Sequence, residues 1–508
     1  MKAASKNMLM SIAARIVSLA TGLIVQRYLL LYFGSTLNGL TTSINQAMAY
    51  LVLLEAGLGT ASVQALYDPL ANNNWELVSG ILTATGKEYK KISAVFIVTL
   101  AGVSIVIPLA VSGEVEFATA GILTLITGGS YIVSYVMGGK YKALLDADRK
   151  LYILYTFEIL SVVMSCLFRV IALTRGYGIV LVQLINLLCI CTKNIGYVIY
   201  VRFKYKSVNY RHTPNYNAVN KRWNVLIHSV AGIVVNNTDV LILTLFGSLK
   251  TVSVYGIYNT VFGQLSSLIQ TTFMQAPQSS FGQLYYRNKK EYSRTYELYQ
   301  FSIAFLLTWI CAIAIGMILP FVSIYTNGVD DITYIDNILP VLFMLILLMN
   351  QIRIPALITI NVAGHFRETQ RGAIIEALIN LIVSLILFFC TDLGLYGLLI
   401  WTVCSYMFRS MDVLIYTHKH LVCMPLRRCL RFYAVDFMAL LTNYLFFFWI
   451  FPIRADSVSQ WVLNAFAVGI GTLLVNLFYN CLWNRQELKM ILTALKSKLA
   501  GILNHGGK

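Results

Sequence analysis

Twelve ionisable residues interrupt stretches that are otherwise apolar: Arg15, Arg27, Arg169, Lys193, Arg353 and Arg409, and Glu55, Glu158, Asp239, Glu376, Asp412 and Asp436. A charge centred in a lone apolar helix costs about 2.5–3.5 kcal/mol on membrane-insertion scales, so such residues face protein or a wet cavity and often mark a substrate or ion path. Some have inexpensive explanations. Asp436, Lys193 and Arg169 lie near the ends of their runs and can snorkel. Arg409 and Asp412 are three apart on one helix face and can pair.

The others are harder to dismiss. Arg27 follows Arg15 by twelve residues, about 18 Å along a helix, so the two could serve successive positions of a moving anion. Arg353 precedes Pro355, whose ring disrupts a helix and frees backbone carbonyls. Asn236, Asn237, Thr238 and Asp239 are four consecutive polar residues covering more than one helix face. Glu55 precedes Gly57 and Gly59, where backbone can bend or be approached closely. Buried pairing and polar helix contacts are the alternative for all of these. A cavity for cationic drugs should present acids, whereas arginine forks grip phosphate oxygens. The first apolar run carries two arginines and no acid, which favours an anionic headgroup.

The elements that must position these groups follow from composition. Of 508 residues, 58% are hydrophobic and 12% charged, with a mean hydropathy of +0.69; soluble proteins are nearer 45–50% and roughly 25%. The chain belongs in a membrane. A net charge of +17 then points to basic loops facing anionic lipid. The nine cysteines lie mostly inside apolar runs, without a CxxC pair.

Fourteen apolar runs are long enough to span about 30 Å of hydrocarbon. They fall near 9–33, 38–63, 92–112, 117–139, 151–173, 177–201, 223–246, 252–276, 298–324, 337–360, 372–391, 395–417, 432–452 and 458–482. With both termini inside, the inner segments carry thirty Lys and Arg and the outer loops only Arg175, Lys250 and Arg454. That asymmetry obeys the positive-inside rule at every loop. The stretch 67–90 and the tail 484–508 read as amphipathic interfacial helices.

The chain also resembles itself. An offset of 213 superposes Phe33-Gly34-Ser35 on Phe246-Gly247-Ser248, Arg15 on His228 and Gln26 on Asp239. At 217, Asn38-Gly39-Leu40 meets Tyr255-Gly256-Ile257 and Leu51 meets Leu268; at 219, Tyr177-Gly178 meets Tyr396-Gly397. Two parallel six-helix halves are expected. These are 1–201 and 223–417, joined by a basic linker 202–222 and followed by two helices in 418–483 and the tail.

Conversion chemistry is not signalled. There is no phosphate-loop motif and no HExxH pair. Asp146 and Asp148 form a D-x-D pair in a tight inner loop, 140–150, without room for a nucleotide-binding domain. The sequence argues for moving a substrate; an enzyme, a cofactor and a nucleic-acid partner are not expected.

The N-terminal third resembles the Wzx-type polysaccharide repeat-unit flippases of the multidrug/oligosaccharidyl-lipid/polysaccharide exporter superfamily. The resemblance rests on Lys6-Asn7, Tyr32-Phe33-Gly34 with Asn38-Gly39-Leu40, Leu54-Glu55-Ala56-Gly57-Leu58-Gly59-Thr60-Ala61, and Ala65-Leu66-Tyr67-Asp68-Pro69-Leu70. It implies an all-α, MATE-like polytopic fold of about fourteen transmembrane helices, with two pseudo-symmetric six-helix lobes and two further C-terminal helices. It further implies alternating access and an undecaprenyl-pyrophosphate-linked oligosaccharide cargo moved across a bacterial cytoplasmic membrane for capsule, O-antigen or teichoic-type assembly. Membrane lipids and a polysaccharide polymerase or other assembly protein are the partners this implies.

Arg15 and Arg353 are then the pyrophosphate candidates, with Arg27 on the same path. His228 is the repeat-related position and departs from a symmetric cationic cavity. Glu55 and Asp239, with Asn236 and Asn237, could take H+ or Na+ and couple transport to an ion gradient. A cation-coupled multidrug antiporter of the same superfamily and a membrane-embedded polymerase or glycosyltransferase are the rival readings.

Overall fold

The structure, a computed structural model, describes residues 2–55, 57–210, 212–216, 223–491 and 493, and among them it is helical without strands. The order is α1 (Lys2–Leu51), α2 (Leu58–Ala71), α3 (Trp75–Ala110), α4 (Phe117–Val133), α5 (Gly139–Ala147), α6 (Leu151–Thr174), α7 (Ile179–Lys204) and α8 (Trp223–Phe246). It continues with α9 (Leu249–Ile269), α10 (Ala276–Arg287), α11 (Lys289–Thr326), α12 (Leu339–Gln351), α13 (Ile354–Ala363), α14 (Phe366–Cys390), α15 (Gly394–Thr417), α16 (Leu426–Leu445) and α17 (Val458–Trp483). Ten helical segments among the described residues are individually long and apolar enough to cross a bilayer. α1 holds two legs that turn at Gly34, with φ 73° and ψ −176°. The second leg continues through a break into α2, as α9 does into α10. Taking α4 with α5 and α12 with α13 as single spans, the helices supply about fourteen crossings.

Several boundaries follow from local chemistry. Asn74 caps α3 by accepting from the Leu77 amide at 3.1 Å, and Asn288 caps α11 by accepting from the Lys290 and Glu291 amides. The expected disruption at Pro355 is present: α12 stops at Gln351, and α13 starts at Ile354 with Pro355 in its first turn.

Two inner segments differ from expectation. Residues 67–90 are not a separate interfacial helix. Residues 58–71 continue the second span, and a new helix from Trp75 runs unbroken into the third. Val78, Ile81, Leu82, Ala84 and Tyr89 are buried in the core. An amphipathic pattern is the same whether the apolar face meets lipid or protein, and here protein covers it. The stretch 140–150 is likewise helical as far as Ala147. Of the tail, residues 485–491 are helical, with Arg431 paired to Glu487 at 2.5 Å; 494–508, like Arg211, Lys221 and Arg222 of the linker, lies outside the described residues.

The described chain forms two compact units: Met1–Gly256 with Gly328–Ile332, and Ile257–Asn327 with Thr333–Lys508. In the first, Asp331 caps the second leg of α1. Its carboxylate accepts from the Ser35 amide at 2.9 Å and the Ser35 hydroxyl at 2.5 Å, and its carbonyl accepts from Lys250 at 3.1 Å. Partial burial pushes the Asp331 pKa up, but the Ser35 bonds and the Lys250 charge outweigh it and hold the group below the usual carboxylate range. Beyond this cap Asn38 donates to Ser253 at 2.6 Å and Ser43 meets Thr244 at 2.6 Å. Gly39 lies directly against the Leu249 backbone.

Candidate functional site

Two spans break, and they break at equivalent places. The second leg of α1 passes into a 3-10 turn, Val52–Glu55, before α2 begins after Gly57, whose φ of 84° no β-carbon-bearing residue adopts readily. α9 passes into a π turn, Gln270–Gln275, before α10, which has proline in its first turn. The 217-residue offset places 52–57 on 269–274. At 1.5 Å per residue the breaks lie about 26 Å and 32 Å from the starts of their spans. That is close to the far edge of a 30 Å hydrocarbon layer.

In the first unit, Glu55 stands in such a break. Its Oε1 accepts from the Tyr89 hydroxyl at 2.8 Å, and Tyr89 stacks on Tyr135 with centroids 6.0 Å apart. Glu55 and Glu158 both act electrostatically on the Lys142 ammonium. Lys142 and Glu158 in turn act on Lys193. Two acids and two lysines from the second, fourth, fifth and sixth spans thus form one charged group.

Tyr50, a turn before the break, meets the Thr238 hydroxyl at 2.9 Å and lies within reach of the Asp239 charge. Asp239 is buried and Asn237 half-buried, its amide donating to the Ile233 carbonyl at 2.9 Å. Glu55 and Asp239 are therefore brought to neighbouring segments. Arg15 is exposed and Arg27 half-buried. The side chains of His228 and Asn236 lie outside the described residues.

Tyr89→Phe removes a donor from a carboxylate, and hydrogen bonds to charged groups are worth about 1.5–3 kcal/mol. The expected result is a thermal midpoint lowered by about 1–3 °C, since unfolding entropy grows with chain length. In a double-mutant cycle with Glu55→Gln, the combined loss should be smaller than the sum; strict additivity would remove this bond from the account.

The second unit holds the counterpart. Arg353 sits at the break between α12 and α13. It pairs with Glu376 Oε1 at 3.1 Å, donates to Asn350 at 2.7 Å and lies 5.2 Å over the Tyr406 ring. Arg409 reaches Glu376 Oε2 at 3.7 Å and Asp412 at 2.5 Å, so the pairing of Arg409 with Asp412 is present. On the same face of α14 as Glu376, Asn380 and Ser384 are fully buried, and neither finds a hydrogen-bond partner among the described residues.

The two charged groups match by position. Glu158 and Glu376 are 218 residues apart, Lys142 and Arg353 are 211 apart, and Lys193 and Arg409 are 216 apart. In the second unit Glu376 contacts cations on two neighbouring helices, an arrangement that offsets the cost of burying either sign; in the first, Glu158 acts on Lys142 and Lys193 at longer range, without a direct ion pair among the described residues. Sequence reasoning missed Lys142 and assigned it to a loop. A five-residue π turn, Ser134–Gly138, carries the fourth span onward into α5 past the apparent edge. The signal lay in Tyr141, Ala143, Leu144 and Leu145, apolar residues beyond the lysines, all of them buried.

Asp436 does not snorkel: it is 2% exposed and accepts from Asn480 at 2.8 Å. Asp148 is engaged by Tyr205 and by Lys150 at 2.6 Å, and Asp146 is on α5. Among the described residues no three His, Cys, Asp or Glu gather as metal ligands.

Broken spans flanked by buried charge, on an all-helical multi-span membrane protein, define a chain of MATE-like fold. Neither a protein-family model nor a curated protein sequence matches it. Among solved structures it is similar to an inward-facing multidrug resistance MATE family transporter of the MOP superfamily, with 15% identity over 80% of this chain and 98% of that one and a TM-score of 0.65. It is similar to the lipid II flippase MurJ in an inward closed conformation, with 17% identity over 95% of this chain and 100% of that one and a TM-score of 0.67. A MATE structure in the bent conformation gives 14%, 83%, 96% and 0.53 for the same measures.

Proposed function

We propose that the chain is a flippase for a lipid-linked oligosaccharide with a pyrophosphate headgroup, undecaprenyl-pyrophosphate-linked repeat units being the cargo, working by alternating access of two six-helix lobes, 1–201 and 223–417. The observation that carries this reading is the extent of the MurJ likeness. It spans 95% of the chain, leaving too few residues to omit the last two helices, whereas the MATE transporter spans 80%. The difference is 15% of 508 residues, about 76, the size of a helix pair with its connection.

The residues supply a mechanism. Arg15, about 28 Å from the Gly34 turn along its helix, is exposed near the level of the breaks and meets the pyrophosphate as it enters. Arg27 lies on the path outward. Arg353 is held by Glu376 until phosphate oxygens compete for its guanidinium. Sugars cross in water while the lipid tail stays in the bilayer. Protonation or sodium binding at Glu55 or Asp239 biases the lobes, and does so only by the difference in ion affinity between the two states. Both termini face the cytoplasm, the membrane is a bacterial cytoplasmic one, and a polymerase receives the product on the other side. No chemical conversion is assigned to the chain.

The test is translocation of a fluorescent undecaprenyl-pyrophosphate oligosaccharide in sealed proteoliposomes. Wild type should flip it, and Arg15→Ala and Arg353→Ala should each slow flipping at least tenfold. The MATE likeness at TM-score 0.65 keeps a multidrug antiporter as the second reading. Transport of a cationic dye under a proton or sodium gradient, with no oligosaccharide flipping, would establish that reading instead.

A further inference from the structure

Within the second unit, α11, α12, α15 and α16 enclose a cavity of about 290 Å³. Small-molecule pockets begin at about 300 Å³ and are mainly apolar with a few placed polar groups. This one is lined by Met407, Met411, Leu430, Tyr433 and Phe437, and by Asp436. Met407, Met411, Leu430 and Phe437 are each 40–50% exposed, so the cavity opens at the surface of the helices.

Asp436 gives the cavity its chemistry. It is 2% exposed, and no basic side chain among the described residues pairs with it. Its Oδ1 accepts from Asn480, whose own Oδ1 accepts from Asn484 at 2.8 Å. One donor of this amide relay, Asn480, thus reaches the carboxylate. Its Oδ2 is buried without a hydrogen-bond partner. Of the other polar groups on the wall, which include Thr308, Ser410 donates to the Met349 carbonyl at 2.6 Å and Tyr433 to the Ile352 carbonyl at 3.3 Å.

We infer that this cavity binds a small lipophilic amine, its ammonium on Asp436 Oδ2 and its alkyl body among the methionines, Leu430 and Phe437. An ammonium satisfies the unpartnered oxygen and brings the opposite charge, and the Tyr433 and Phe437 rings on the same cavity wall suit a cation. A two-chain aminolipid exceeds the volume and would set its phosphate against the carboxylate. The site is separate from the Arg353–Glu376 pair and does not depend on the flippase reading.

The experiment measures binding of radiolabelled octylamine to the full chain in lipid nanodiscs. Saturable binding at one site per chain is expected, competed by unlabelled octylamine but not by octanol or octanesulfonate. Asp436→Asn keeps the acceptor for Asn480 and should weaken binding at least tenfold. Met411→Trp, which fills the cavity from its open side, should do the same with the carboxylate intact, and it carries the test if the first variant does not fold. Equal competition by octanol would reduce the cavity to an apolar void and overturn the inference. So would unchanged affinity in both variants, or displacement by sodium chloride but not by choline chloride, which would make Asp436 a metal-ion site.

Discussion

Glu376→Leu should destabilise the protein by about 3–5 kcal/mol, the usual cost of removing one partner from a buried ion pair. Arg353 then loses its only ion-pair partner among the described residues, while Arg409 keeps Asp412 at 2.5 Å. The loss therefore falls mainly on Arg353, whose Nε already lacks a hydrogen-bond partner. Glu376→Gln should cost less, because an amide oxygen still accepts from the guanidinium. The double replacement Arg353→Met with Glu376→Leu should recover most of the loss, since an apolar pair of similar volume replaces a buried ion pair at little cost. Thermal unfolding of the purified variants in detergent checks the series. A Glu376→Leu midpoint within a degree of wild type would mean that the pair is solvated and the arginine already free.

The second large effect concerns Gly39. A β-carbon there would overlap the Leu249 carbonyl oxygen, and backbone cannot step aside as a flexible side chain can. Overpacking costs about 1–3 kcal/mol. If the chain alternates between two states, as proposed, Gly39→Val penalises only the state in which these helices touch. A shift of 1–3 kcal/mol corresponds to roughly 5–150-fold in the equilibrium. The readout is a cysteine at Ser253, whose hydroxyl now accepts from Asn38 at 2.6 Å, in a chain with its nine native cysteines replaced. Labelling by a membrane-impermeant maleimide should rise at least fivefold in the valine variant. Unchanged labelling with an unchanged melting temperature would sink the close approach as a gate.

What the sequence made legible was whatever depends on runs and spacing. The spans were readable because each needs about twenty apolar residues whatever it packs against, and the disruption at Pro355 because the ring acts locally. Gly57 and Gly59 mark where the second span can bend, but nothing in the sequence marks the break at Gln270–Gln275 in the eighth. Contacts between distant segments were not legible. Tyr89 falls in the stretch that reads as an interfacial amphipathic helix, and only folding brings its hydroxyl to Glu55. Asp436 read as an end-of-helix residue because its partner is 44 residues away. A signal was there: Asn476, Asn480 and Asn484 recur every four residues in an apolar run, a polar stripe that needs something to face. Glu55 and Asp239 were singled out separately, and it took the Tyr50–Thr238 bond to show that their segments adjoin. Arg353 looked like a lone cation because its carboxylate is carried on another helix.

The lengths of α3 and α11 have a consequence for how salt acts on this protein. At 36 and 38 residues they measure about 54 and 57 Å, far more than the 30 Å of hydrocarbon. Counting from the ends marked by Ala110 and Thr326, an upright helix puts Lys87, Lys90 and Lys91 about 30–35 Å along, at the level of the lipid phosphates. Lys289 and Lys290 come about 55 Å along, some 20 Å beyond that plane. The Debye length at physiological ionic strength is about 8 Å. Anionic lipid is therefore felt strongly by the lysines of α3 and hardly at all by those at the start of α11. All of these lysines count alike when loop charges are tallied, yet only the first set ties the protein to lipid composition, and the second is free to meet solutes or proteins at a distance from the surface.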